Sequence, residues 1–197
     1  MGEPKLAYHT IEEYLEQEEA AEFKSEYEDG IIRAMSGGSL DHSIIGGNII
    51  TQLQIQIKNK GLNCTPFNGD ARIYIDNANS FVYPDASVTC DEVEVSEEDK
   101  NAYVNPILVV EVLSKSTGSY DRGDKFHKYC SLPSFKEYVL IDQYKPVVDV
   151  LYKEGSDYWK MVTTIGLDKS IYLHTLDVHV SMQDIYQNAR ELQEPNF

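Results

Sequence analysis

Apolar and polar positions change period several times along the chain, and each change marks an element. Between Pro106 and Tyr129 the run Ile107, Leu108, Val109, Val110, Val112 and Leu113 is almost unbroken and rich in β-branched residues. That is the pattern of a strand buried on both faces of a sheet. Glu111 interrupts it near its C-terminal end. The polar stretch that follows reads as a turn entering a helix from about residue 120 to 132, with Asp121, Lys125 and Lys128 along one side. EYVLID, residues 137–142, is a second buried strand. A strand, helix, strand order with a helix of that length predicts a right-handed parallel crossover.

Upstream, Ile11, Tyr14, Leu15 and Ala21 form the inward side of a helix that Thr10 caps through Glu13. Residues 23–28 and 31–35 flank Asp29-Gly30, a strong hairpin signal. Ser36-Gly37-Gly38 ends the hairpin, and Ser39 or Asp41 starts a helix that runs to Lys60 and stops at Gly61. Its stripe of Ile44, Ile45, Ile49, Leu53, Gln56 and Ile57 predicts packing on the sheet. Strand patterns follow at residues 62–66, 72–75 and 81–89. The third contains Tyr83-Pro84-Asp85, where a proline implies an edge, a bulge or a kink just before an acid. Residues 147–152 and 158–164 bracket Glu-Gly-Ser-Asp as a hairpin, residues 171–173 and 178–180 are short strands, and Ser181 caps a last helix through Tyr186.

The 197 residues suit one domain, 1–197, and 42% hydrophobic with 11% aromatic residues is a globular composition. No apolar run is long enough to span a bilayer. The N-terminus has no cationic start followed by an apolar block, so no signal peptide is expected. Cys64, Cys90 and Cys130 are odd in number and lack a CxxC pair, which argues against a disulfide framework or a zinc site and for a reducing cytoplasm. The net charge of −16 opposes phosphate binding, but it is concentrated in Met1 to Gly30 and Asp91 to Asp99. Lys100 to Lys145 holds seven bases against five acids, which leaves open both a mildly cationic site face on an acidic molecule and a protein that never touches DNA.

An unpaired buried carboxylate is costly, so Glu111 needs a cation, a proton or several donors. Asp85 lies 26 residues before it, also in a strand pattern. If the two strands pair, both carboxylates meet at one sheet edge, and a hard divalent cation such as magnesium relieves their repulsion. The Val112 carbonyl could complete the protein's share of ligands. A nearby lysine would then orient water or polarise a phosphoryl group, which is a mechanism for phosphodiester hydrolysis. No Gly-rich phosphate loop follows a strand and there is no GxSxG, so a small-molecule enzyme has little support.

Pro84-Asp85, Glu111, Asp121-Arg122 and Lys125 together resemble the PD-(D/E)XK nuclease superfamily and, within it, the bacterial Uma-type restriction endonuclease family. The likeness extends from Glu26-Tyr27-Glu28-Asp29-Gly30 through Asp41-His42-Ser43 and Val110-Glu111-Val112-Leu113-Ser114 to Tyr129 and Pro133-Ser134-Phe135-Lys136-Glu137-Tyr138. It implies an α/β, restriction-endonuclease-like fold: a mixed central β-sheet flanked by helices, with an N-terminal helix and β-hairpin. It also implies a Mg2+ (or Mn2+) site at Asp85, Glu111 and the Val112 carbonyl, acting on DNA, with no membrane partner. Association into a homodimer would suit a nuclease that cuts two strands. The superfamily pattern places a lysine two residues after the second acid, where this chain has Leu113. The resemblance moves the amine to Lys125 and makes Glu26 an auxiliary acid. His42, Arg122 and Lys128 become candidates for phosphate or substrate contact. The competing expectation is an inactive nuclease-fold module that binds nucleic acid or protein, favoured by the acidity and by Leu113.

Overall fold

In the computed structural model, residues 7–35, 37–156 and 158–195 are described; Ser36 of the predicted hairpin break and Asp157 of the Glu-Gly-Ser-Asp turn lie outside them. The chain opens with α1 (Ile11–Ala20), whose Thr10 and Glu13 exchange side-chain and backbone hydrogen bonds as a capping box. Strands β1 (Ser25–Glu28) and β2 (Ile31–Ala34) form the hairpin at Asp29-Gly30. Both turn residues take positive φ, as a two-residue hairpin loop requires. Helix α2 (Leu40–Lys60) is capped by Ser39 and ended by Gly61 in the left-handed conformation.

β3 (Cys64–Asn68) and β4 (Arg72–Ile75) follow as short strands. The pattern over residues 81–89 divides into β5 (Ser80–Val82) and β6 (Ala86–Cys90), which belong to different sheets. The break falls at Tyr83-Pro84-Asp85, because a proline has no N–H to continue a ladder. Next come β7 (Ala102–Tyr103), β8 (Leu108–Leu113) and a helical segment over residues 118–130. That segment is a turn of α3 (Gly118–Tyr120), a π-helical turn (Asp121–Lys125) and α4 (Phe126–Cys130), rather than one regular helix. β9 (Glu137–Asp142), β10 (Val147–Glu154), β11 (Tyr158–Ile165), β12 (Ser170–Leu173), β13 (Val178–Ser181) and α5 (Met182–Ile185) complete the chain.

β8 lies inside the six-stranded sheet β11-β10-β9-β8-β6-β3, antiparallel to β6 and parallel to β9. Every β8 residue is buried, as the continuous apolar run requires. Its side chains divide by parity. Leu108, Val110 and Val112 pack with Ile45, Ile49 and Leu53 of α2, whereas Val109 and Leu113 pack with Tyr129, Phe135 and Tyr138. Glu111 has the second parity and points toward the helix over 118–130. A second sheet, β2-β1-β5-β4-β7, carries the hairpin to that side. No helix among the described residues is long and apolar enough to cross a membrane.

Cys64 and Cys90 face one another in the β3–β6 register and form a disulfide, contrary to the expectation of separate thiols. Two cysteines far apart in sequence carry no pairing signal until strand register makes them neighbours. With 26 residues between its ends, this bond contributes about 2–4 kcal/mol by restricting the unfolded chain. Reduction with dithiothreitol, followed by urea unfolding, should lower stability by about that amount. The Cys90→Ser variant should start at the lower value and show no response to reductant.

Candidate active site

Four segments converge where β8 ends. β1 supplies Glu26, the β5–β6 junction supplies Tyr83 and Asp85, β8 supplies Glu111, and the π-helical turn supplies Lys125. The crossing from one sheet to the other at Tyr83-Pro84-Asp85 frees backbone groups that the site uses. The Tyr83 N–H donates to Glu26 Oε1 at 3.0 Å, and the Val112 N–H donates to Asp85 Oδ2 at 2.6 Å. Asp85 is thereby fixed beside the end of β8, adjacent to Glu111 and the Val112 peptide.

Lys125, 4% exposed, places Nζ 2.9 Å from Glu111 Oε1 and 3.0 Å from Glu26 Oε1, and donates to the Tyr83 carbonyl at 3.3 Å. Three acceptors match the three protons of an ammonium. Burial alone would lower the Lys125 pKa, but the Glu111 and Glu26 carboxylates outweigh it and hold the amine well above its ordinary value. Burial pushes the Glu111 carboxyl up, against the pull of the Lys125 ammonium, with Asp121 and Asp85 adding like charge. Burial also raises Asp121. The π-helical turn from Asp121 to Lys125 is the kind of local irregularity that often accompanies function.

The cavity in front of these groups is about 660 Å³. Glu26, Glu28, Asp85, Glu111, Asp121 and Asp124 line it, against Arg33, Lys115, Lys125 and His42. A cationic face is not what the cavity presents: acids outnumber bases in its lining, and two bases of residues 100–145, Arg122 and Lys128, are paired elsewhere. Arg122 Nη1 is 2.6 Å from Asp149 Oδ2 on β10, and Lys128 Nζ is 2.6 Å from Glu28 Oε1 and 2.9 Å from the Tyr120 hydroxyl. Neither side chain lines the cavity. His42 does, in the first turn of α2, with Nε2 3.4 Å from Asp85 Oδ2. Lys115 stands near the Tyr144 ring, and both contribute to the wall.

A hard divalent cation fits this donor set. Among the described residues no group of three or more His, Cys, Asp or Glu side chains converges closely enough to hold a metal. Two carboxylates and one backbone carbonyl, with water elsewhere, is nevertheless how magnesium is commonly bound. The excess of carboxylates over cations in a partly enclosed cavity is the electrostatic condition that such an ion relieves.

Three residues of the stretches quoted above make contacts that the sequence did not predict. The Tyr129 hydroxyl donates to Glu111 Oε1 at 3.3 Å, and its place four residues after Lys125 was the available signal. Tyr83 acts through its backbone, which side-chain patterns do not reveal. Asp121 is almost fully buried and lines the cavity, which its place along one helix side with Lys125 and Lys128 did not by itself indicate.

Residues 11–183 match the family model Uma2, described as "Putative restriction endonuclease". Two uncharacterized proteins of Synechocystis sp. are similar over most of the chain. One is 36% identical over 184 residues, 93% of each chain, and the other 33% identical over 162 residues, 82% of this chain and 90% of its own. A crystal structure from Anabaena variabilis, described as "a putative nuclease belonging to DUF820", superposes with a TM-score of 0.71 at 20% identity, covering 90% of this chain and 97% of that one. That likeness shows the fold, which is the restriction-endonuclease-like arrangement expected from sequence.

Proposed function

The chain belongs to the Uma2 restriction endonuclease family, and from that premise we propose that it is a magnesium- or manganese-dependent endonuclease that hydrolyses DNA phosphodiester bonds. Asp85, Glu111 and the Val112 carbonyl would hold the cation. When bound, such an ion supplies a Lewis acid for the phosphoryl oxygens and lowers the pKa of a coordinated water. Lys125 remains protonated, so it acts as a donor, orienting the attacking water or a non-bridging phosphate oxygen. Glu26 and the Tyr83 carbonyl hold the ammonium in place, and the buried Tyr129 hydroxyl donates to the same Glu111 oxygen that faces Lys125.

The observation that carries this reading is the Lys125 amine 2.9 Å from Glu111, although Leu113 occupies the usual lysine position on the strand. A helix packed beside β8 returns the amine to the acid that the chemistry requires. The test is incubation of the purified chain with closed circular plasmid. Nicked circles should appear with Mg2+ or Mn2+ and cease when EDTA is added. DNA binding without any strand break in either metal would instead favour the inactive module.

A further inference from the structure

Glu111 and Lys125 line the cavity yet are almost fully buried, so a scissile phosphate has to come down to them. At about 660 Å³ the cavity has the size that encloses one drug-sized ligand, the bulk of a nucleotide or two and not of a duplex. The Glu28–Lys128 ion pair ties the β1–β2 hairpin to α4 beside it. Duplex binding is driven by cations laid along many phosphates. Here Lys125 is held by Glu111 and Glu26, and Arg33 Nε is 3.1 Å from Glu28 Oε2. What the cavity offers instead is a wall at the ends of β8 and β9. Those strands are parallel with Leu113 opposite Asp142, and Lys115 and Tyr144 each lie two places further on. The Tyr144 N–H donates to Asp142 Oδ1 at 2.8 Å and its carbonyl accepts from the Gln193 N–H at 2.7 Å, which fixes the backbone behind a half-buried ring. Hydroxyls latch the loop that carries Lys115: Ser114 Oγ is 3.0 Å from both Ser116 Oγ and Thr117 Oγ1 and accepts from the Thr117 N–H. Lys115 Nζ lies 5.1 Å from the Tyr144 ring centroid.

We propose that the site takes an unpaired DNA strand, with a base against the Tyr144 ring and the adjoining phosphate on the Lys115 ammonium, and that intact duplex is a poor substrate. The inference rests on the nuclease reading above and names the form of DNA that its site admits. Stacking on an aromatic face is worth about 5- to 150-fold per base and accepts any base, so it supplies the affinity that an acidic cavity does not draw from phosphates. A flexible strand bends its backbone down to Glu111 and Lys125. A duplex is stiff over the length of such a site and first has to unpair.

The test is cleavage of an end-labelled oligonucleotide in Mn2+, alone and annealed to its complement. The single strand should be cut about 10-fold faster or more, the rate equivalent of unpairing and unstacking a base. Supercoiled closed circles remain a substrate, since negative supercoiling favours strand separation, and relaxed closed circles should resist. Tyr144→Leu should raise KM for the single strand by about 5- to 150-fold with kcat nearly unchanged, whereas Tyr144→Phe, which still stacks, should keep the wild-type KM. Lys115→Gln changes an exposed side chain and serves if Tyr144→Leu folds poorly. It should lower the slope of log KM against log salt by about 0.7, the share of one phosphate on a single strand. Equal cutting of single strand and duplex, a wild-type KM in Tyr144→Leu or an unchanged salt slope in Lys115→Gln would each overturn the inference while leaving the nuclease standing. Absence of metal-dependent cleavage of every substrate by the wild-type chain would overturn the nuclease reading itself, and this inference with it.

Discussion

Lys125→Met should cost about 3–5 kcal/mol of stability, the penalty for leaving buried charge without its partner, although the new side chain has nearly the same length. Lys125 is the cation shared by Glu26 and Glu111, whose side chains are both largely removed from water. Methionine removes the charge and all three donated contacts, so the two carboxylates face one another across an apolar gap. Urea unfolding at neutral pH measures the loss, and a value under about 1 kcal/mol would mean that the carboxylates find other relief. The Glu26→Gln, Lys125→Met double variant should recover part of the loss, since one buried acid instead of two remains; such non-additivity is expected of groups in direct contact. The same substitution should lower metal-dependent plasmid nicking by about 10²–10⁴-fold, the range for a positioned proton donor. Arginine should not restore activity, because its planar fork cannot reproduce the three-way contact of an ammonium.

Divalent cations should raise the melting temperature more than any other simple ligand. An ion that binds only the folded chain stabilises it by about 2.7 kcal/mol at one hundred times its dissociation constant. For a chain of this length that corresponds to a rise of about 5–10 °C. The increment should be similar for Mg2+ and Mn2+ and absent for an equal ionic strength of NaCl, which separates site binding from screening. Asp85→Asn should lose it while melting near the wild-type temperature without metal, because its amide can still accept from the Val112 N–H. A full increment in Asp85→Asn would place the ion elsewhere in the protein.

What sequence made legible was whatever local chemistry decides. Thr10 and Ser39 as caps, Gly61 as a stop, Asp29-Gly30 as a turn and the all-buried run of β8 follow from backbone rules within a few residues. Partners across the fold were harder to see. Glu26 was expected as an auxiliary acid, but its grip on Lys125 and on the Tyr83 N–H depends on the hairpin lying over the end of β8. Arg122 reads as a phosphate ligand until β10 brings Asp149 to it. The Cys64–Cys90 bond and the division of residues 81–89 between two sheets likewise depend on strand register and sheet order, which no local pattern encodes. Leu113 was informative in the opposite sense. Its apolarity required the amine to come from another element, and the helix after β8 is the nearest one in sequence.

Plasmid nicking by Glu111→Gln, set beside wild-type protein prepared identically, tests the central claim most directly. The variant keeps the size of the side chain and its acceptor for Lys125 and Tyr129, so its thermal unfolding without metal should stay cooperative. In Mn2+ the wild-type chain should convert closed circles to nicked ones and Glu111→Gln should leave them closed. Undiminished nicking by a folded Glu111→Gln protein would contradict the assignment and place the cleavage in another site or another protein.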